Sequence, residues 1–96
     1  MDKYRPDKVS SLIKEELSRI FTRELEFDNF LVTIVNVVVS KRLETAIVRI
    51  GVFPPEKSPE ALIIINENRK KLNALLIGKI DIRMMPKIIF EIEKSY

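Results

Sequence analysis

"VVVSKRLETAIVRIGV", residues 37–52, places two β-branched runs on either side of a basic turn. The first run begins at Leu31 and is interrupted only by Thr33 and Asn36, the pattern of an interior strand covered on at least one face. In the second, Ala46, Val48, Ile50 and Val52 alternate with Ile47, Arg49, Gly51 and Phe53, which is the period of a strand. Together they predict a hairpin. Its connection, "SKRLE", holds neither Asn-Gly nor Asp-Gly, so a loop longer than a two-residue primed turn is expected, with Lys41 and Arg42 at its tip.

Working outward, Val9, Leu12, Ile13, Leu17, Ile20, Phe21 and Leu25 recur at the three-four spacing of an amphipathic helix running from Pro6 to about Leu25. Pro6 suits the start, because the N–H it lacks has no partner in the first turn of a helix. "EFDNF" ends the pattern as a loop. On the other side of the hairpin, "PPEKSPEA" is a proline-punctuated loop in which Ser58-Pro59 reads as an N-cap followed by proline at the first helical position. The stripe Ala61, Leu62, Ile65, Leu72, Leu75, Leu76 follows, but the six residues Asn66 to Lys71 are all polar. A straight helix would bring Asn68 and Arg69 to the edges of the buried stripe, so a bend or break is expected between Asn66 and Leu72. Gly78 reads as the stop, Pro86 excludes helix beyond it, and Ile88, Phe90 and Ile92 alternate with Ile89, Glu91 and Glu93 as a last strand.

The order helix, strand, strand, interrupted helix, strand predicts one sheet of three strands with the helices on one face, a two-layer α+β domain. A chain of 96 residues has room for one such core and no second domain. The other sheet face is left partly open, where Arg49 and Thr33 are expected.

Composition narrows the function. There is no cysteine and no histidine, which removes disulfides, thiolate ligands, the commonest general base and the commonest metal ligand. Glu15-Glu16 and Glu91/Glu93 have no accompanying nucleophile or metal ligand and read as solvated faces. The two glycines, Gly51 and Gly78, are far apart, so no phosphate-cradling loop or GXXG clamp is present. No enzyme, cofactor, metal site or small-molecule substrate is expected. No signal peptide or membrane-spanning apolar stretch is visible, so a cytoplasmic protein is expected.

The formal net charge is +3, and its distribution says more than its size. Residues 37–53 carry three Lys/Arg against one acid, and residues 67–83 carry five against two. Lys41-Arg42 alone reads equally well as a solubilising turn, and Arg69-Lys70-Lys71 as an ordinary helix surface. Their recurrence beside the turn and the second helix favours one positive surface that contacts phosphates. Phe21 and Phe90 lie on core stripes and no strand carries paired aromatics, so backbone and shape recognition is expected rather than base stacking.

In order along the chain, "KVSSLIKEELSRIFTREL", "VTIVNVVVSKRLETAIVRIGV" and "LLIGKIDIRMMPKIIF" resemble the opening helix, the strand pair and the Gly-Lys to Leu-Arg-x-x-Pro close of the ribosome-binding factor A family, bacterial assembly factors of the small ribosomal subunit. The resemblance spans nearly all of residues 1–96 and implies a type II KH-like fold, helix-strand-strand-kinked helix-strand, without the GXXG loop. It further implies a noncatalytic role late in small-subunit maturation, binding to ribosomal RNA, and involvement in growth in the cold. By position, Lys8 matches a basic residue at the start of the family's first helix, Lys79 the Gly-Lys and Arg83 the Leu-Arg. The chain departs from the family in lacking its Asp-Pro-Arg after the first helix, in Arg42 where an acid is usual, and in having Arg69-Lys70-Lys71 near the family's Ala-x-Gly kink.

The expected RNA-binding set is therefore Lys8, Lys41, Arg42, Arg49, Arg69, Lys70, Lys71, Lys79 and Arg83. The expected partner is the small ribosomal subunit with its ribosomal RNA, met by a monomer and away from membranes. The competing expectation is a KH-like protein-interaction or structural module that does not touch RNA directly.

Overall fold

A computed structural model describes residues Arg5 to Lys94. Helix α1 (Pro6–Glu24) buries Val9, Ile13, Leu17, Ile20 and Phe21, the stripe that its spacing dictates. Fully burying one such side chain contributes roughly 1.5–3 kcal/mol, so packing, more than helix propensity, holds α1 in place. Its exposed side carries Arg19 bridged to Glu15 at 2.8 Å and to Glu16 at 2.6 Å. The helix ends at Leu25, which is extended and gives its N–H to the carbonyl of Phe21.

Strands β1 (Leu31–Val39) and β2 (Thr45–Phe53) pair antiparallel, and β3 (Lys87–Ile92) joins β2 in parallel, giving the sheet order β1-β2-β3. The pairing runs Ile34↔Ile50 and then Asn36↔Arg49, so Val35 is an extra residue bulged out of β1. Without the bulge, Thr33 and Asn36 would face opposite sides. With it, both lie on the uncovered face, while Ile34, Val37 and Val39 are buried. A methyl group at Gly51 would come within 3.3 Å of Val35 Cγ2, which favours glycine beside the bulge.

The covered face presents Ala46, Val48 and Ile50 of β2 with Ile88 and Phe90 of β3, all buried in one cluster with α1, as expected for helices on one side. Phe21 of α1 meets Phe90 with ring centroids 6.1 Å apart. No helix among the described residues is long and apolar enough to cross a membrane.

A 3₁₀ turn (Pro55–Lys57), which follows a cis Phe53-Pro54 bond, leads into α2 (Ser58–Glu67). Ser58 already has helical dihedrals (φ −56°, ψ −45°), so it belongs to the helix and does not cap it; Pro59 sits in the first turn. The expected interruption falls at Asn68, outside both α2 and α3 (Arg69–Lys79). There the Asn68 side-chain amide donates to the carbonyl of Ile64 at 2.8 Å, while the Asn68 backbone carbonyl accepts from Leu72 N–H at 2.9 Å. The break lets Ile65 and then Leu72 and Leu76 all reach the core. Gly78, expected as the stop, lies inside α3 without a positive φ. The chain leaves the helix one residue after Lys79, where Ile80 turns extended and is itself buried.

Candidate functional site

The basic turn is built around Ser40. Its N–H donates to the Thr45 carbonyl at 2.9 Å, its carbonyl accepts from Leu43 N–H at 2.9 Å, and its Oγ accepts from the N–H groups of Glu44 (2.9 Å) and Thr45 (3.1 Å). Leu43 closes the turn in the left-handed region, φ 60°, and packs its side chain against the core. Ser40 and Leu43 thus fix the loop, and Lys41 and Arg42 are left exposed at its tip.

The connection from α3 to β3, residues 80–86, runs beside this turn. Lys87 N–H donates to the Glu44 carbonyl at 2.9 Å, which fastens the start of β3 to the hairpin end. Ile80 and Pro86 are buried and Ile82 and Met85 pack against the core, so the residues left facing outward include Arg83 and Met84. Arg42, Glu44, Arg83 and Met84 line a shared concavity of about 420 Å³. Lys79, exposed, ends α3 at the head of the same connection. Among the described residues, Lys41, Arg42, Lys79 and Arg83 enter no side-chain hydrogen bond or ion pair.

A second basic group, at the helix break, is engaged within the protein. The Arg69 guanidinium donates to the carbonyl of Ile88 in the edge strand β3. Lys71 Nζ lies 3.0 Å from Glu24 Oε1 at the end of α1, and this hydrogen bond, with a second from Arg23, holds the Glu24 carboxyl below the usual carboxylate range. Lys70 is exposed, and with Arg69 and Lys87 it rims a cleft of about 340 Å³ floored by Leu17, Leu72, Leu76 and Phe90.

The nine expected residues therefore divide. Arg42 and Arg83 come together at the hairpin end, with Lys41 next to Arg42 at the turn tip and Lys79 at the head of the Arg83 connection. Arg69, Lys70 and Lys71 open α3, about 12–15 Å along the helix axis from Lys79 at 1.5 Å per residue. Arg49 lies on the uncovered sheet face, 3.7 Å from Glu91 of the neighbouring strand, and its charge is partly offset there. Lys8 is exposed in the first turns of α1. Sequence reasoning missed Met84 and Lys87; the only signal for either was a polar-apolar switch within "RMMPK".

Chemically, the hairpin end offers two guanidinium forks and two ammonium charges, a set that matches the oxygens of phosphate groups. Among the described residues no group of three or more Asp, Glu, His or Cys is placed to hold a metal.

The sequence model of the family described as ribosome-binding factor A matches residues 5–96. The chain belongs to the ribosome-binding factor A family. A ribosome-binding factor A from Prosthecochloris aestuarii is 36% identical over 95 residues, covering 96% of this chain and 78% of its own. The crystal structure of ribosome-binding factor A from Thermus thermophilus superposes with a TM-score of 0.78 at 23% identity, covering 92% of this chain and 96% of that one. Coordinates of the Thermus thermophilus ribosome-binding factor A fitted into a cryo-EM map of its 30S complex give a TM-score of 0.69 at 23% identity, over 84% of this chain and 87% of that one. At that identity the two structural matches establish the shared fold.

Proposed function

We propose that this member of the ribosome-binding factor A family is a noncatalytic maturation factor of the small ribosomal subunit, docking on its ribosomal RNA with the hairpin end of the domain. The observation that carries this reading is the meeting of unpaired cations from two segments far apart in sequence, Arg42 on the turn, with the exposed Lys41 next to it in the chain, and Arg83 on the α3–β3 connection. Cations without intramolecular partners keep their full charge for phosphates, and each phosphate neutralised releases counterions. Membership in a ribosome-binding family supports the ribosome as partner, and the Thermus thermophilus relative fitted into a 30S complex supports the small subunit. The factor acts as a cytoplasmic monomer without a cofactor, and contributes to growth in the cold.

A second reading, docking of a protein partner, draws on the uncovered sheet face, where Leu31, Val38 and Phe53 stand 70%, 48% and 68% exposed. Co-sedimentation with small subunits separates the two. Wild type is expected to pellet with the subunits at low salt and to be released at high salt. Lys41→Glu with Arg42→Glu is expected to weaken binding and flatten its salt dependence, by roughly one unit of slope for each phosphate no longer neutralised. Retention at high salt, with the double reversal binding as wild type does, would instead assign the docking surface to the apolar sheet face.

A further inference from the structure

Met84 is the most exposed large apolar side chain among the described residues, at 78%, and it stands between Arg83 and the core-packed Met85. The other exposed apolar residues lie on the uncovered sheet face or on helix surfaces. Of these exposed residues only Met84 lines a concavity with two unpaired arginines, Arg42 and Arg83, and one carboxylate, Glu44; Leu43, Ile82 and Met85, each part-buried, complete its wall. Its presentation is fixed on both sides. Before it, Ile80 is buried and Ile82 packs on the core, with Ile82 N–H donating to the Ile80 carbonyl at 3.0 Å; after it come Met85, packed, and Pro86, buried. A solvent-facing loop position gains nothing from an apolar side chain, whereas an unbranched thioether makes favourable contacts with aromatic rings. Methionine is also among the side chains that proteins wedge between nucleic-acid bases. The concavity, at about 420 Å³, falls within the roughly 300–1,000 Å³ that small-ligand sites occupy, enough for one unstacked base.

We propose that Met84 is an apolar wedge that contacts an unstacked base while Arg42 and Arg83 hold the flanking phosphates, so that this surface selects unpaired or bulged RNA over regular duplex. The inference rests on the hairpin end being the RNA-docking surface. Glu44 strengthens the selection: its carboxylate repels a continuous run of phosphates across the concavity but accepts a hydrogen bond from a base amino group.

The test uses the full chain with two probes, a short single-stranded RNA carrying one 2-aminopurine and a blunt RNA duplex of the same length. Wild type is expected to bind the single strand roughly 2- to 10-fold tighter than the duplex, the range set by sulfur–aromatic contacts, and to change the 2-aminopurine fluorescence. Met84→Gln, which keeps the side-chain length, should abolish the preference and the fluorescence change while leaving duplex affinity and salt slope unaltered; Met84→Leu should restore most of the preference. Equal binding of both RNAs by wild type, or an unchanged preference in Met84→Gln, would overturn the wedge. A Met84→Gln protein that binds both RNAs normally but no longer binds small subunits would also overturn it, by assigning Met84 to a protein contact. If Arg42→Glu with Arg83→Glu leaves the affinity for both RNAs intact, the docking surface itself is wrong, an outcome distinguishable from failure of the wedge.

Discussion

The two basic groups in this domain have opposite relations to the fold. At the hairpin end, Ser40 and Leu43 hold the turn by backbone and core contacts, and Lys41, Arg42 and Arg83 are carried outward without intramolecular partners. At the helix break, Arg69 reaches the Ile88 carbonyl and Lys71 reaches Glu24, so the charges tie α3 to β3 and to α1. The difference is one of demand. A turn tip can change its charges without consequence for the core, whereas a cation beside a half-open helix break has nearby acceptors that would otherwise go unpaired.

Arg69→Met gives the largest expected effect on stability. It keeps the apolar stem but leaves the outward Ile88 carbonyl without its donor, at a cost of about 1–3 kcal/mol. For a domain of this size, each kcal/mol lowers the melting temperature by roughly 4–8 °C. Thermal unfolding followed by circular dichroism measures it, and a melting temperature equal to wild type would show that solvent replaces the guanidinium at no cost. The same substitution also opens the outer edge of β3, which Arg69 now obstructs, so concentration-dependent association should appear with the loss of stability.

A smaller effect is expected at the ion pair of the break, Lys71 with Glu24. The Glu24 carboxyl is held below its ordinary value of 4.5 chiefly by its hydrogen bond to Lys71. A depressed folded-state value means stability that is present above the unfolded-state value and is lost as pH falls through the folded one. Glu24→Gln should therefore melt slightly below wild type near neutral pH, and the gap should close as the buffer is taken down into and below the carboxylate range. A gap that stays constant with pH would mean that packing at residue 24, not its charge, is responsible. Added salt should narrow it as well, because the pair is partly exposed.

These contrasts also mark what could be read from the sequence. The α1 stripe, the strand alternation and the polar run from Asn66 to Lys71 follow from burial alone, and each leaves a periodicity that the chain displays openly. The break at Asn68 was legible because a buried stripe cannot tolerate six polar residues in succession. By contrast, the bulge at Val35 is visible only in the odd spacing of Thr33 and Asn36, which has a meaning once β2 supplies the register. The parallel joining of β3 to β2 depends on where the α2–α3 unit returns the chain, a nonlocal outcome that no local pattern encodes. Gly78 misled because glycine permits a left-handed stop without requiring one, and the pull of Ile80 into the core ended the helix instead.

The basic residues were readable as residues but not as roles. Arg69, Lys70 and Lys71 look alike in the sequence, yet their surroundings separate them: a strand carbonyl for Arg69, a helix-end carboxylate for Lys71 and open solvent for Lys70. Lys41 and Arg42 become a surface only because the start of β3 is fastened to Glu44, which brings Arg83 alongside them. Arg49 is expected on the open sheet face and lies there, with Glu91 as its cross-strand neighbour.

Parallel salt titrations of small-subunit binding test the division most directly, with wild type, a tip variant (Lys41→Gln, Arg42→Gln, Arg83→Gln) and a break variant at the cation engaged within the protein (Lys71→Gln). The tip variant should melt as wild type does, while the slope of log affinity against log salt falls by about 2–3 units, the drop expected when three phosphates are no longer neutralised. The break variant should keep the wild-type slope. A break variant whose slope falls as much as that of the tip variant, or more, would contradict the account and move the RNA surface to the start of α3.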